Sequence, residues 1–476
     1  MPAGDSVADR VPVRRSGFAG STARSVVFRA DEVARRVEFP ILLFIVVALP
    51  WEFTKTWFPT QLLEVSRLGI IVAIGILASH VAAGTFRLPR SPLLLAIGAV
   101  VAVVAISAAA TRWENGIKDA AAVVIYAGLA LFIANVLDRR SRVRWFGAAL
   151  VASAVIVATV GIAQEIGNFY LWQAEGNEVL GRRNSTFGDP NVAARFLSIA
   201  LVSCFAVVTA LRLRPRAMVA VLIAVGMVAI AQVLTLSRMG WVLAVVSVAL
   251  WIPLAVSHRR LRLALAPFIV VFAGYVLVAP TVLHRAGTAA ADAVVRTGIG
   301  SPVTVPPTAA GPRAVAGTPL DGLIVSLPID SVRKYLVRAG VAMTFDHPLF
   351  GVGVGGYQPQ ILTTYWDYVP RDRRAAPTTL IHTDSVRVLA ETGLVGFAAF
   401  IGLLIAAATS VIRAVRAGPP SRRIAAWAAG SAVLLILLSS QFAGRFFNEP
   451  YLWLSLGVLM AVGWRDRWLQ PEPSRA

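Results

Sequence analysis

Residues 92–111 read PLLLAIGAVVAVVAISAAAT, and this stretch decides the fold class because it holds no charged side chain. A helix of about 20 apolar residues is long enough to cross the ~30 Å hydrocarbon core of a bilayer. Backbone groups in lipid must bond within the segment, so the stretch predicts a membrane-spanning helix. Similar stretches occur at roughly 39–58, 62–83, 117–137, 143–166, 191–211, 216–236, 239–257, 262–282, 385–410, 424–444 and 450–464. We therefore predict an all-α polytopic membrane protein with about 12 transmembrane helices.

The composition of the whole chain supports this class. The 476 residues carry a net charge of +20, yet 57% are hydrophobic and only 15% are charged. Soluble domains have about 45–50% apolar and about 25% charged residues, which argues against a soluble enzyme. The hydrophobicity also argues against a nucleic-acid-binding protein. The five histidines form no HExxH or i,i+4 pair, and the one cysteine excludes a thiolate zinc site or an internal disulfide.

Arginine clusters predict the orientation of the chain in the membrane. They follow every even-numbered span and also fill the N-terminal tail, whereas the odd connections have mixed charge. Because basic residues stay on the cytoplasmic side, both termini are predicted to be cytoplasmic. The clusters are Arg87 and Arg90; Arg139, Arg140, Arg142 and Arg144; Arg212, Arg214 and Arg216; Arg259, Arg260 and Arg262; Arg413, Arg416, Arg422 and Arg423; and Arg465, Arg467 and Arg475.

These spans divide the chain into five segments. The third segment, the loop over residues 283–384, has two parts with different sequence patterns. Residues 286–328 are rich in Ala, Gly, Pro and Thr and predict a flexible insertion, and residues 330–345 predict a surface helix at the membrane. The segments are a disordered cytoplasmic tail (1–37), spans 1–9 (38–282), an extracytoplasmic loop (283–384), spans 10–12 (385–464) and a second cytoplasmic tail (465–476).

Charged residues lie at the predicted outer ends of the spans rather than near the bilayer centre. A transporter needs a site near the midplane, so this pattern favours chemistry at the outer face. Arginines on the outer side run against the orientation rule, and together they indicate an anionic partner such as a pyrophosphate. They are Arg182, Arg183, Arg195, Arg238, Arg333, Arg338 and Arg387.

Four motifs lie on this outer side. Two of them have simple structural alternatives: Asp-Pro-Asn at 189–191 is also a good helix start, and His382 is also suited to capping span 10. The glycines of the third motif lack a βαβ context for nucleotide binding, and we expect them to allow close backbone approach to the membrane or a glycan. The motifs are RRNSTFGDPN (182–191), LTLSRMGW (234–241), Arg333 followed by DHPLFGVGVGGY (346–357), and HTDSVRVLAETGLVG (382–396).

In this order the four motifs resemble those of the O-antigen ligase/polymerase superfamily of bacterial membrane glycosyltransferases, across roughly spans 5 to 11. Thr383 stands where the family usually has Asn. The resemblance implies a GT-C-like fold in the bacterial cytoplasmic (inner) membrane and a polyprenyl-pyrophosphate-linked glycan as donor. It implies a glycan or glycolipid acceptor, and no metal, ATP or nucleic acid. The family's two outward arginines and loop histidine correspond by motif to Arg238, Arg333 and His382.

The chemistry of such a transfer needs cations near the pyrophosphate and a base near the acceptor hydroxyl. We expect Arg238 and Arg333 to bind the pyrophosphate. We expect His382 to be the general base, because an imidazole titrates near neutral pH. Glu391 is nine residues further on and is expected to support the site by pairing with an arginine of a neighbouring span. The secondary candidates are Arg182, Asp189, Asn191, Arg338, Arg387 and Glu391.

The predicted function is therefore a metal-independent glycosyltransferase of the O-antigen ligase type. Two alternatives stay open at this point. One is an O-antigen or exopolysaccharide polymerase of the same superfamily. The other is a flippase or transporter of lipid-linked glycans, which predicts a charged central cavity.

Overall fold

The computed structural model describes residues 18–58, 64–172, 181–275, 331–370 and 381–464, and single positions between them. Every regular element in these ranges is a helix, as expected for an all-α membrane protein. The predicted 286–328 insertion, apart from two positions, and the predicted 465–476 tail lie outside the described residues.

Fourteen α-helices are described. Two short 3₁₀ helices accompany them, at Glu52–Trp57 and Trp366–Tyr368. The α-helices are α1 (Phe18–Ala48), α2 (Val65–Ala82), α3 (Pro92–Thr111), α4 (Glu114–Val136), α5 (Arg140–Gly167), α6 (Pro190–Ala210), α7 (Pro215–Leu234), α8 (Arg238–Ser257), α9 (259–275), α10 (Ser331–Asp346), α11 (Tyr357–Leu362), α12 (Asp384–Ala417), α13 (Pro420–Ala443) and α14 (Pro450–Trp464).

Nine of the described helices are long and apolar enough to cross a membrane, namely α2 to α8, α12 and α13. Helix α14 is apolar but shorter. Helix α6 is buried along most of its length, with α5, α7, α8 and α13 packed around it. The chain is thus an all-α polytopic membrane protein, and the number of twelve spans stays a prediction.

Helix α1 corrects the predicted boundaries at the start of the chain. It begins at Phe18, so residues 18–37 are helical and the predicted disorder is wrong for them. The i,i+4 pair between Arg35 and Asp31 supports this charged half of the helix. The helix ends at Ala48 instead of continuing to residue 58, because Pro50 disfavours helical geometry at the residue before it.

The two ends of the bundle differ in the chain segments that meet there. One end, called here the arginine end, holds the starts of α5, α7 and α13; Arg422 at the start of α13 donates to the carbonyl of Gly463 near the end of α14. The other end, called here the histidine end, holds the starts of α6, α8, α12 and α14. The arginine clusters follow the even-numbered predicted spans. Those that belong to described helices all lie at the arginine end.

Helix α12 is broken at Gly393, where the backbone takes a φ of 61° that favours glycine. The loop before α11 fills the break: the amide of Val352 donates to the carbonyl of Ala390 at 2.9 Å, and the amide of Leu394 donates to Pro348 at 2.8 Å. A Cβ on Gly351 would lie 2.4 Å from the Ala390 carbonyl oxygen. The expectation that these glycines approach a membrane or glycan is therefore wrong, because the protein itself covers them. Gly351 packs on α12, whereas Gly353, Gly355 and Gly356 pack on the turn between α3 and α4, against Thr111, Gly116 and Trp113.

Helix α10 occupies the region where the sequence predicts a helix over 330–345. Its buried face holds Leu336, Ala339 and Met343 at helical spacing, and this face belongs to a small core shared with α11 and the start of α12. The helix therefore holds Arg333 at a fixed distance from the segment that precedes α12.

Candidate active site at the histidine end

His382 lies in a short extended segment that leads into α12. Its carbonyl accepts a 3.1 Å hydrogen bond from the amide of Gly444, in the loop between α13 and α14. The position before the helix, Thr383, is the N-cap of α12, so His382 is not the cap. Among the described residues neither ring nitrogen of His382 makes a hydrogen bond, which leaves the imidazole available to a substrate.

Neighbouring side chains fix the segment around His382 to the end of α13. The buried carboxylate of Asp384 accepts a hydrogen bond from the amide of Phe446. The hydroxyl of Ser385 donates to the side-chain carbonyl of Gln441 at 2.6 Å. Backbone and side-chain bonds thus position His382, while its imidazole takes no part in them.

Arg333 approaches the same place from α10. Its guanidinium lies 5.6 Å from the centre of the Phe442 ring, and it donates to the Phe442 carbonyl at 3.5 Å. Phe442 is two residues before Gly444, the partner of His382. The structure therefore brings Arg333 and His382, two of the predicted site residues, close to each other.

The surroundings of His382 favour its neutral form. Burial of the ring, followed by the positive charge of Arg333, lowers the pKa of His382 below its ordinary value of 6.5, while Asp189 and Asp384 act in the opposite direction. A neutral imidazole carries a lone pair that can accept a proton. The group is accordingly ready to act as a base at neutral pH.

Asn191 joins the first two motifs in one cluster. Its side-chain carbonyl accepts from Arg182 at 2.8 Å and from the Ser237 hydroxyl at 2.8 Å. Arg182 also donates to the carbonyl of Thr235. The helix-start interpretation of this motif is confirmed as well, because the Asp189 side chain caps α6 through the amide of Asn191.

Arg238 is the first residue of α8 and directly follows the capping residue Ser237. Its side chain is exposed, and within the described ranges it forms no ion pair. No contact joins Arg238 to His382 or Arg333 in these ranges. The turn that carries Arg238 is held through Ser237 and Asn191, so its backbone position is fixed while its guanidinium stays available.

Three of the outward arginines pair with carboxylates of the protein itself, in place of the expected external anion. Arg195 is buried and pairs with Glu449 at 2.6 Å. Arg183 pairs with Glu165 at 2.7 Å. Arg387 lies 3.5 Å from Asp384 and 3.8 Å from Glu391.

Glu391 supports the site in a different way from the one expected. Its arginine partner, Arg387, is on the same helix and not on a neighbouring span. Its carboxylate also accepts from the amide of Tyr357 at 3.4 Å, which joins α12 to the start of α11. The guanidinium of the secondary candidate Arg338 lies over the ring of Tyr368, 5.6 Å from its centre.

The loop between α13 and α14 contributes residues beside His382 that the sequence motifs miss. Arg195 donates to the carbonyl of Gly444 at 3.0 Å, so the buried Arg195–Glu449 pair positions the residue that binds His382. Arg445 follows, half-exposed and with a φ of 72°, and lies 3.8 Å from Glu52. The only signal in the sequence is that Arg445 and Glu449 are charged residues between two apolar spans.

The site thus combines an available imidazole with a neighbouring guanidinium, and the exposed guanidinium of Arg238 lies at the same end of the helical bundle. Such an arrangement can accept a proton from a hydroxyl and stabilise a developing anion.

A family model described as O-antigen ligase matches residues 223–401 of this chain. The matched range holds Arg238, Arg333 and His382, together with Arg338, Arg387 and Glu391. It begins after the Arg182–Asn191 motif. No curated protein matches the chain.

Proposed function

Because the chain belongs to the O-antigen ligase superfamily, we propose that it is a membrane glycosyltransferase that moves a glycan from a polyprenyl-pyrophosphate carrier to an acceptor hydroxyl. One observation carries this proposal: Arg333 and the open imidazole of His382 are neighbours where α10, α12 and α13 meet. A base beside a fixed cation suits a reaction in which a hydroxyl loses a proton while an anion leaves.

In the proposed step, the acceptor oxygen attacks the anomeric carbon of the donor sugar. The bond from this carbon to the pyrophosphate oxygen breaks, and polyprenyl pyrophosphate leaves with the electron pair. The hydroxyl proton passes to a ring nitrogen of His382. Arg333 and Arg238 stabilise the negative charge that develops on the leaving group, because guanidinium groups bind phosphate oxygens through paired N–H donors.

The proposed orientation follows from the two ends of the bundle. The arginine end faces the cytoplasm of a bacterial inner membrane, together with both chain termini, and the histidine end faces outward. The donor lipid then reaches the site from the outer leaflet. A transporter of the same lipid is less well supported, because two clefts between the described helices are lined mainly by Ala, Leu and Val.

Reconstitution of the full chain in proteoliposomes with a polyprenyl-pyrophosphate-linked glycan tests this proposal. We expect free polyprenyl pyrophosphate to form in step with glycosylated acceptor. A glycolipid acceptor that gains one glycan indicates a ligase, and a ladder of lengthening glycans indicates a polymerase. Movement of the donor across the bilayer without release of polyprenyl pyrophosphate would contradict the proposed enzyme.

Arginine variants then test the two assigned cations. Arg238→Ala and Arg333→Ala should each lower kcat/KM about 10-fold to 100-fold, since each removes a charged hydrogen bond worth about 1.5–3 kcal/mol. Arg259→Ala is the matched control, because Arg259 is exposed at the arginine end. Equal kinetics for all three variants would remove Arg238 and Arg333 from the site.

A further inference from the structure

A groove opens between α5 and α13, with α6 and α14 behind it. It is at the arginine end and has no part in the site around His382. Its walls are mainly aliphatic and contain several small residues, such as Gly147 and Ala428. Deeper in the groove, the hydroxyls of Ser203 and Ser455 donate to carbonyls of their own helices, so they leave the surface apolar.

The length of the groove matches one leaflet of a bilayer. On α13 it extends from Ser421 to Ala432, which is about 16 Å at ~1.5 Å per residue. Half of the ~30 Å hydrocarbon core of a bilayer is about 15 Å. One acyl chain lying along α13 would therefore fill the groove from the membrane surface to the midplane.

The open end of the groove is basic. Arg140 and Arg144 line it and are four residues apart on α5, so they share one face of the helix. Both side chains are exposed, and neither forms an ion pair with any residue that the structure describes. Helix α13 starts beside them at Pro420 and Ser421, and its first N–H groups favour negative charge at this end.

We propose that this groove binds an anionic glycerophospholipid of the cytoplasmic leaflet. One acyl chain lies between α5 and α13, and the phosphate of the headgroup binds Arg140 and Arg144. Basic pockets between transmembrane helices on the cytoplasmic side are suited to anionic headgroups. The donor lipid is a different molecule at the opposite end of the bundle.

The test measures lipid bound to the full chain in nanodiscs made from equal amounts of phosphatidylglycerol and phosphatidylcholine. Native mass spectrometry after mild release counts the retained lipids of each class. We expect the wild-type protein to retain phosphatidylglycerol in preference. Arg140→Gln/Arg144→Gln should reduce this preference about 30-fold, because each arginine contributes about 1 kcal/mol near an anionic lipid and ~1.4 kcal/mol is a factor of ten.

Two controls separate the groove from general surface charge. Arg413→Gln/Arg416→Gln removes two exposed arginines from α12 at the same end and should leave the preference unchanged. Ala428→Trp fills the groove and should lower retention of phosphatidylglycerol, whereas Ala102→Trp on the exposed face of α3 should not. Equal losses in both arginine variants, or equal retention of both lipids by the wild type, would overturn the proposal. Displacement of phosphatidylglycerol by polyprenyl phosphate at equal concentration would also overturn it.

Discussion

His80 and His382 lie at opposite ends of the bundle, and their imidazoles are used differently. At the arginine end, the ring nitrogens of His80 contact Asp31 at 2.5 Å and Glu38 at 3.1 Å. At the histidine end, the described residues bind the backbone of His382 and leave its ring without a hydrogen bond. A histidine with both nitrogens engaged connects helices, and one with free nitrogens can exchange a proton with a substrate.

The largest expected effect is on catalysis at the histidine end. His382→Ala should lower turnover by about 10²- to 10⁴-fold, because a positioned general base contributes that much. The thermal unfolding midpoint should be unchanged, since the bond from Gly444 uses the backbone of residue 382. Reconstituted donor turnover and a melting curve in detergent measure both quantities. His258→Ala is the control, because His258 is exposed at the other end. Normal turnover in His382→Ala would show that the base is another group.

The buried pair that supports the site should give the next largest effect. Arg195→Met leaves Glu449 as an unpaired buried charge, which costs about 3–5 kcal/mol of stability. It also removes the donor to the Gly444 carbonyl, so turnover of the remaining folded protein should fall. The double variant Arg195→Met/Glu449→Leu should recover most of the stability, because paired apolar replacements are often neutral. A double variant as unstable as the single one would contradict this role.

A smaller effect is expected from the histidine of the arginine end. His80→Ala removes the partner that Asp31 and Glu38 share, while Asp31 keeps Arg35 and Thr85 and Glu38 keeps Arg142. The loss of two hydrogen bonds should cost about 1–3 kcal/mol in all. The unfolding midpoint should drop while turnover per folded molecule stays normal, the reverse of His382→Ala. Chemical denaturation and kinetics on the same sample compare the two. Loss of turnover without loss of stability would show that the two histidines do not divide their roles in this way.

The smallest effect is a shift in pH dependence. Because the pKa of His382 is lowered, the neutral base should persist to a pH below 6.5, and kcat/KM should fall only under that value. Arg333→Gln removes a charge that lowers this pKa, so the acid limb of the kcat/KM profile against pH should move to higher pH. Asp189→Asn removes a charge that raises it, so the limb should move to lower pH. Shifts of both variants in one direction would contradict the assignment of the limb to His382.

Sequence reasoning predicts the helices of this protein well, because hydrophobicity and helix starts such as Asp189-Pro190 are local signals. It fails for the first half of α1. The helix is stabilised there by charged i,i+4 pairs and by the contacts of Asp31 and Glu38 with His80. It also fails for the partners of buried charges. Arg195 and Glu449 are 254 residues apart, and only folding shows that they meet.

The same limit applies to the site. Arg333 and His382 can be chosen from their motifs, and the structure adds that Phe442 and Gly444 bring them together. The role of Gly351 depends on the break in α12 at Gly393, and the roles of Gly353 and Gly355 depend on the turn between α3 and α4. No local pattern gives the surface against which a flexible backbone will pack.

The central claim is that the chemistry occurs at the histidine end, and a sided transfer assay tests it most directly. A protease site is added after residue 476, and its accessibility is used to separate proteoliposomes by the orientation of the protein. A membrane-impermeant acceptor, identified by the reconstitution, is supplied outside the vesicles only. We predict glycan transfer and release of polyprenyl pyrophosphate only in vesicles whose added site is protected, because their histidine end faces outward. Equal transfer in both orientations, or transfer only where the added site is cleaved, would contradict the account.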